Sequence, residues 1–331
     1  MIQKFFDLQG ASLRVSAIQP VLVDFFGRIF AGRSRPLPTA PLAFGVTITS
    51  GEPLSVPGGA DLLYEGPILD EGDACFWQGP EGRVLVFPGV ISLTLSDQAR
   101  EATIIVAPGA EERIVMTCGQ LALQAALLAA KQFLVHAAGL TLPDGRVALI
   151  FGKSGAGKTT STLALAAGGL GLCSDDAMAC NVSGDRPTAW GMPRNLKVHR
   201  RTAEMLPWVQ PLLSGDWSAE DERPVALSAL RTTVSVESIA AREIAAIFVL
   251  ERSGRATSHC EPVNKAEVLA LAAADNVRST RVGVPKGERE LFKRLGELVR
   301  AVPTYRLSAG SNPTDLAPVM LAALDIEKII A

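Results

Sequence analysis

The sequence predicts an α/β fold in which a small, mainly antiparallel β domain precedes a larger domain of alternating strands and helices. Three observations predict it. Short β-rich runs, separated by Gly, Pro or Asp, fill residues 42–106. A run rich in Ala, Leu and Gln follows at 118–133 and is typical of a buried helix. Beyond it, strand-like and helix-like segments alternate, so we predict one domain at 1–112 and another at 113–331.

The predicted elements follow the chain in this order. The first domain has one short helix at 21–31 and β-rich runs at 44–48, 74–77, 83–86, 91–95 and 102–106. In the second domain, strands at 133–141 and 146–151 are joined by a Pro-Asp-Gly turn at 142–145. Further strands are predicted at 170–174, 244–250 and 304–307, and helices at 160–167, 265–274, 288–300 and 315–330.

Charge and hydropathy exclude several classes of function. The 331 residues include 32 Lys and Arg against 34 Asp and Glu, so no strong field indicates nucleic acid or an anionic membrane as a partner. Apolar stretches are interrupted before the roughly 18 residues that a membrane span requires. Residues 1–10 lack the apolar core and cleavage site of a secretory signal, which predicts a cytoplasmic protein.

Five scattered cysteines without a CxxC pair favour reduced thiols over disulfides or a zinc site.

Residues 152–159 match the pattern GxxxxGK[ST] at every fixed position, between a predicted strand and a predicted helix. Glycines let the backbone approach a phosphate closely, so that successive N–H groups form an anion site. Lys158 would reach the β and γ phosphates, and the Thr159 hydroxyl would bind Mg²⁺. We therefore predict a P-loop that binds ATP, against the alternative of a glycine-rich turn without a nucleotide. The residues predicted to contact the nucleotide are Gly152, Ser154, Gly155, Ala156, Gly157, Lys158, Thr159 and Thr160.

Two adjacent acids, Asp175 and Asp176, follow the predicted strand 170–174. The carboxyl ends of strands face the ligand in an open α/β sheet, so these side chains are expected near the P-loop. One acid can bind the metal while the other accepts the proton of an attacking hydroxyl. In the alternative interpretation, the pair only caps the segment that follows.

One histidine, His136, lies on the predicted strand before the turn, in the sequence LVHAAG. A single histidine on an apolar strand is more often a core residue with satisfied hydrogen bonds than a catalytic one. The residues alone leave both roles open.

Taken together, these motifs resemble the catalytic domain of bacterial HPr kinase/phosphorylase. They are closer still to shorter HPr-kinase-like proteins encoded beside peptide biosynthetic genes, some of which phosphorylate a serine hydroxyl on a lasso-peptide precursor. The resemblance rests on VHAAGL around His136, on GKSGAGKTT and on LCSDD, and it covers residues 134–179. It implies a fold related to phosphoenolpyruvate carboxykinase and the use of ATP and Mg²⁺.

The resemblance also implies roles for individual residues. Asp175 is the base for the acceptor hydroxyl, and Asp176 is a metal ligand with Thr159, although the order of the two acids stays open. His136 lies beside the transferring phosphate, whose charge Lys158 neutralises.

Four basic residues are candidates for contacting the substrate. Residues 191–197 resemble a Pro-Arg segment of the family, so Arg194 or Lys197 would meet the substrate or a phosphate. Arg278 and Arg281 lie in the polar segment 276–286, which would close over the site and stabilise transferred charge. The alternative is that both are solvated loop arginines.

The sequence departs from HPr kinase in two respects: the downstream signature rich in Glu, Arg and Gly is absent, and the front domain matches poorly. HPr as substrate and the reverse, phosphorolytic reaction are therefore not implied. The leading hypothesis is an ATP-dependent kinase of a serine-type hydroxyl on a peptide or protein, including a ribosomally made precursor peptide. The alternatives are a nucleotide-gated peptide-binding protein or ATPase, and a kinase of a small molecule such as free serine. HPr kinase is hexameric, and a homo-oligomer is one of the states that this sequence leaves open.

Overall fold

The computed structural model of the chain describes residues 1–30, 34–55, 58–68, 72–80, 82–96, 100–110, 112–192, 195–237, 240–276 and 285–326. The fold is mixed α/β and divides into two compact units, of which the first comprises Met1–Phe133 and the second begins at Leu134. None of the described helices is both long enough and apolar enough to cross a membrane.

The strands and helices of the described residues are as follows. The strands of the first unit are β1 (Ile2–Asp7), β2 (Ser12–Ala17), β3 (Leu42–Ser50), β4 (Asp61–Pro67), β5 (Asp73–Gly79), β6 (Gly82–Phe87), β7 (Ile91–Ser96) and β8 (Glu101–Val106), with helices α1 (Pro20–Ile29) and α2 (Glu112–Ala129). Later strands are β9 (Phe133–His136), β10 (Ala138–Thr141), β11 (Val147–Phe151), β12 (Gly171–Ser174), β13 (Ala177–Asn181), β14 (Thr188–Gly191), β15 (Leu196–His199), β16 (Glu222–Val225), β17 (Arg242–Arg252), β18 (His259–Pro262) and β19 (Thr304–Ala309). Later helices are α3 (Lys158–Ala167), α4 (Arg200–Met205), α5 (Leu227–Leu230), α6 (Lys265–Asn276), α7 (Pro285–Ala301) and α8 (Leu316–Ala323), with 3₁₀ helices at Pro207–Leu212 and Pro313–Asp315.

In the first unit, the described strands form one eight-stranded sheet in the order β1-β2-β3-β8-β7-β6-β5-β4. It is mainly antiparallel, with β3 parallel to both β2 and β8. Strands β1, β2 and β4 were not predicted from the sequence. Helix α2 packs against β3, β7 and β8, and Gln132 beyond it donates a hydrogen bond to the Leu8 carbonyl at 2.5 Å. For this reason the compact units divide after α2, at Phe133, whereas the sequence placed the boundary before it.

In the second unit, the described strands form a nine-stranded sheet. Its order is β12-β10-β11-β17-β14-β13-β9, with β19 beside β17 and β18 beside β19. The pairs β11/β17 and β17/β19 are parallel. Every residue of β11 is buried, as is the apolar middle of β17, which is typical of parallel strands covered on both faces. Helices α3 and α8 pack against each other and contribute Leu163, Leu165 and Met320 to the core of this unit.

The predicted strand 133–141 is two strands. The chain turns at Ala137, whose N–H donates to the Val135 carbonyl at 3.0 Å. Strand β9 lies at one end of the sheet order and β10 beside β11, so His136 is located where the chain passes between them. The next turn, between β10 and β11, forms as predicted: Gly145 has φ 83°, and the Asp144 carboxylate accepts a hydrogen bond from the Arg146 N–H at 3.0 Å.

The five cysteines are all free thiols. Cys118, Cys173 and Cys180 are buried, whereas Cys75 and Cys260 are partly accessible. Burial raises the pKa of Cys173 to about 11, although a contact with the Thr141 hydroxyl opposes the shift. This thiol is therefore protonated at neutral pH and is an ordinary core residue.

The close packing of β14 against β12 can be tested by a substitution at Gly191. A Cβ at Gly191 would lie 2.3 Å from the Cys173 carbonyl oxygen and 2.6 Å from its carbon, both of which are backbone atoms. We expect Gly191→Ala to lower the free energy of unfolding by about 1–3 kcal/mol, because the strands must move apart. Urea denaturation followed by circular dichroism measures the change. Gly184→Ala is the matched control, since its Cβ would meet nothing nearer than the Arg186 carbonyl at 3.8 Å. Equal stability of the two variants would contradict this account of the packing.

Candidate functional site

Strand direction brings several chain segments to one edge of the second sheet. Strand β17 is parallel to β11, and β12 has the same direction as β11 because both are antiparallel to β10. The carboxyl ends of β11, β12 and β17 therefore lie at the same edge, and so does the start of β10 that follows His136. Each of these ends carries polar or glycine residues.

The glycine-rich loop, which we define as Gly152–Gly157, leaves the end of β11 and enters helix α3. Its last two glycines, Gly155 and Gly157, have φ values of 75° and 97°, a left-handed conformation that other residues rarely adopt. A Cβ at Gly152 would come within 3.3 Å of the Leu250 carbonyl oxygen on β17. Within the loop, the Ala156 N–H donates to the Lys153 carbonyl at 3.0 Å and closes a turn. The strand, loop and helix thus follow one another in the predicted order.

Helix α3 begins at this loop, with Gly157 in the left-handed conformation at its N-cap. The first N–H groups of an α-helix have no acceptor within the helix, and the helix dipole is positive at this end. Lys158, whose side chain is 10% exposed, adds a full charge. Its ammonium donates to the Gly152 carbonyl at 2.7 Å and therefore lies over the loop. The arrangement suits an anion.

The two adjacent acids have different neighbours. Asp175 is 7% exposed, and its Oδ2 accepts a hydrogen bond from the Thr159 hydroxyl at 3.3 Å. The side chain of Asp176 is 25% exposed, and its Oδ1 lies 3.1 Å from His136 Nδ1. One carboxylate therefore faces the start of α3, and the other faces the histidine.

The end of helix α6 adds two residues that the sequence analysis did not select. The side-chain oxygen of Asn276 accepts a hydrogen bond from the His136 backbone N–H at 2.6 Å. Asp275 Oδ2 lies 3.8 Å from both His136 Nε2 and Lys158 Nζ. The histidine thus lies between two carboxylates, and Asp275 links it to the lysine.

The remaining predicted site residues lie elsewhere or serve other contacts. Ser154 is exposed on the loop, and the Thr160 hydroxyl forms a 2.7 Å hydrogen bond with Thr202 on α4. Lys197 lies on β15 with its side chain 79% exposed, and its ammonium pairs with Glu222 on β16 at 3.6 Å. The predictions for Arg194, Arg278 and Arg281 fall outside the described residues.

The residues at this edge fit a hard divalent cation. The Thr159 hydroxyl and the Asp175 carboxylate are adjacent oxygen donors, which Mg²⁺ prefers. Within the described ranges, no group of three or more His, Cys, Asp or Glu side chains is arranged to hold a metal ion. Mg²⁺ at nucleotide sites commonly needs only one or two protein ligands, because phosphates and water complete its shell.

A local signal exists for each residue that the sequence analysis missed. Asp275 and Asn276 end the apolar helix α6, and Asp and Asn are common at chain positions that leave regular structure. Arg252 ends the buried strand β17, and a Cβ at Gly157 would lie 3.7 Å from its Nε and one of its terminal nitrogens. The rule that selected Asp175, a polar residue at the carboxyl end of an apolar strand, would also have selected Arg252.

Comparison with known proteins shows a distant similarity to a solved structure. No protein-family model matches the sequence, and no curated protein matches it. Among solved structures, the chain is similar to the Hpr(Ser) kinase/phosphatase from Coxiella burnetii, with 14% sequence identity and a TM-score of 0.31. The alignment covers 57% of this chain and 95% of that chain.

The contact between Asp275 and Lys158 generates a prediction about anion binding. We expect Asp275→Asn to tighten the binding of metal-free pyrophosphate by about two- to tenfold, because the carboxylate repels an anion and competes with it for Lys158. Isothermal titration calorimetry measures the dissociation constant. Glu267→Gln is the matched control, because it removes one charge from the same helix at a residue that pairs with Arg306. Weaker binding in Asp275→Asn would mean that Asp275 orients Lys158 for the anion.

Proposed function

We propose that the chain is an ATP-dependent kinase that transfers the γ-phosphoryl group to a serine-type hydroxyl of a peptide or protein. The proposal rests on one observation: positively charged groups that suit an anion and two carboxylates with different neighbours lie at the same edge of the sheet. Lys158 and the start of α3 form the anion site, and Asp175 and Asp176 supply the carboxylates. Phosphoryl transfer requires both kinds of group, because it depends on positioning and on charge neutralisation.

ATP is the proposed phosphoryl donor, with its phosphates on the glycine-rich loop. The first N–H groups of α3 would donate to phosphate oxygens, and Lys158 would neutralise the β and γ phosphates. In that role its ammonium exchanges the Gly152 carbonyl and the Asp275 carboxylate for phosphate oxygens. The resemblance to HPr kinase over residues 134–179 supports the choice of ATP.

Mg²⁺ is the proposed metal ion, with the Thr159 hydroxyl and one acid as its protein ligands. When bound, the ion neutralises charge on the phosphates and orients them for transfer. The family resemblance assigns this ligand role to Asp176, with the order of the two acids open. The contacts support the reverse order, because the Asp175 carboxylate adjoins Thr159 whereas Asp176 adjoins His136.

Asp176 is then the proposed base. Its carboxylate is more exposed than that of Asp175, so an acceptor hydroxyl can reach it. His136 holds the carboxylate through Nδ1, and Asn276 fixes the histidine backbone. In the proposed step, the hydroxyl oxygen forms a bond to the γ-phosphorus, the bond to the β-phosphate oxygen breaks, and the hydroxyl proton passes to the carboxylate. The products are a phosphoserine-type ester and ADP.

The kinase proposal is tested with labelled donor. We expect the protein, incubated with γ-³²P-ATP and Mg²⁺, to label peptides in a serine-centred peptide array. Lys158→Ala should lower the rate by about a hundredfold or more, because it removes the charge that stabilises the transferred group. Phosphorimaging of the array and analysis for phosphoserine measure the result. ATP hydrolysis without labelled hydroxyls would point instead to a nucleotide-gated binding protein, and label on free serine alone would point to a small-molecule kinase.

The roles of the two acids are separated by their dependence on metal. With an acceptor identified on the array, we expect Asp176→Asn to lower kcat by about 10²–10⁴-fold without changing the Mg²⁺ concentration at half-maximal rate. Asp175→Asn should raise that concentration by about tenfold, because it removes a ligand charge. Steady-state rates across a Mg²⁺ series give both quantities. The opposite pattern would restore Asp175 as base and Asp176 as metal ligand.

A further inference from the structure

We propose that Arg252 is a ligand of the nucleotide's phosphate chain, acting from the outer side of the glycine-rich loop. The inference rests on the proposed function, in which a nucleotide occupies that loop. It goes beyond it by assigning a second positive group, on a different element from Lys158, to the same anion.

The register of the sheet brings Arg252 to the loop. Phe151, the last residue of β11, pairs with Val249 of β17. Strand β17 continues past this pair to Arg252, supported on its other side by β19. The final residues of β17 therefore lie beside the glycine-rich loop, and the approach of Leu250 to Gly152 shows how close the two segments are.

Alternation along the strand sends Arg252 to the loop side. The Glu251 carboxylate accepts a hydrogen bond from the Ser308 hydroxyl at 2.8 Å and lies 3.6 Å from Arg306 Nε. Successive side chains of a strand point to opposite faces, so Arg252 and the buried Leu250 share the other face. Glu251 therefore points away from the glycine-rich loop, and Arg252 points toward it.

The guanidinium reaches the turn that would hold the anion. A Cβ built at Gly157 would lie 3.7 Å from both Nε and one terminal nitrogen of Arg252, which is ordinary van der Waals contact. Gly157 directly precedes the first N–H groups of α3. In the described part of the chain, no acidic side chain forms an ion pair with Arg252, so its charge is available to a ligand.

The chemistry of the group points to phosphate as the ligand. A guanidinium donates paired N–H groups in a fixed plane, which matches two oxygens of one phosphate or of neighbouring phosphates. Lys158 supplies a point charge from within the loop, and Arg252 supplies a planar donor from its rim. Together they would balance two of the negative charges of a nucleoside di- or triphosphate.

The test measures phosphate binding with and without a nucleoside. Dissociation constants for Mg·ATP and for inorganic tripolyphosphate are determined by calorimetry for the wild type, Arg252→Ala, Arg252→Lys and Arg255→Ala. We expect Arg252→Ala to weaken binding of both ligands by about tenfold, because a hydrogen bond to a charged group is lost. Arg252→Lys should fall between it and the wild type, since it keeps the charge without the planar donor. Arg255→Ala, the control that removes one charge from the exposed residues just beyond β17, should stay within about twofold.

Three outcomes would overturn the proposal. Unchanged binding of both ligands in Arg252→Ala would remove Arg252 from the site. Weaker binding of Mg·ATP with unchanged tripolyphosphate would assign Arg252 to the base or ribose. If Arg255→Ala weakened binding by the same factor, the effect would reflect the overall positive charge of this region and not a contact between Arg252 and phosphate.

The same titrations separate this inference from the proposed function. If Lys158→Ala weakens binding while Arg252→Ala does not, the nucleotide site stands and only Arg252 is wrong. If the wild type binds neither ligand, the nucleotide site itself is wrong, and the role of Arg252 falls with it.

Discussion

The parallel pairing of β11 with β17 is the constraint on which the candidate site depends. It fixes the direction of the strand that feeds the glycine-rich loop and places the end of β17 beside that loop. Through β10 it also fixes the direction of β12, and with it the position of the two acids. Main-chain hydrogen bonds between buried strands are not exposed to water, so this arrangement is held rigidly. The glycine-rich loop thus turns sharply between strands whose positions are fixed.

Four ionisable side chains at this edge form a chain of contacts. Asp176, His136, Asp275 and Lys158 follow one another at distances of 3.1 to 3.8 Å. A phosphate bound at the start of α3 would compete with Asp275 for the lysine, which would leave Asp275 to the histidine alone. The contacts of His136 and the occupancy of the proposed anion site are therefore coupled through the Asp275 carboxylate. Such coupling is a property of the cluster and cannot be assigned to one residue.

The sequence predicted those parts of the site whose signals are contiguous. The strand, glycine-rich loop and helix follow one another within residues 147–167, and Asp175 and Asp176 follow at the next strand, so local patterns sufficed. Asp275 and Asn276 approach His136 across more than a hundred residues, and their position at a helix end, which the sequence does indicate, does not show what they contact. In the first unit, β1 was missed because Lys4 and Asp7 interrupt its apolar residues, although its pairing with β2 compensates for them. Helix α2 packs against strands of the first sheet, which its composition could not indicate, because an Ala- and Leu-rich helix is buried whichever sheet covers it.

The alternation of side chains at the end of β17 has a consequence for evolution and for engineering of the chain. Glu251 and Arg252 are neighbours in sequence but face opposite sides of the sheet. Deletion of Leu250 would shift the end of β17 by one position and would direct the Glu251 carboxylate to the glycine-rich loop. The charge beside the glycine-rich loop would then change from positive to negative, although Glu251 and Arg252 would both still be present. At this strand end, selection should therefore act against insertions and deletions more strongly than against many substitutions.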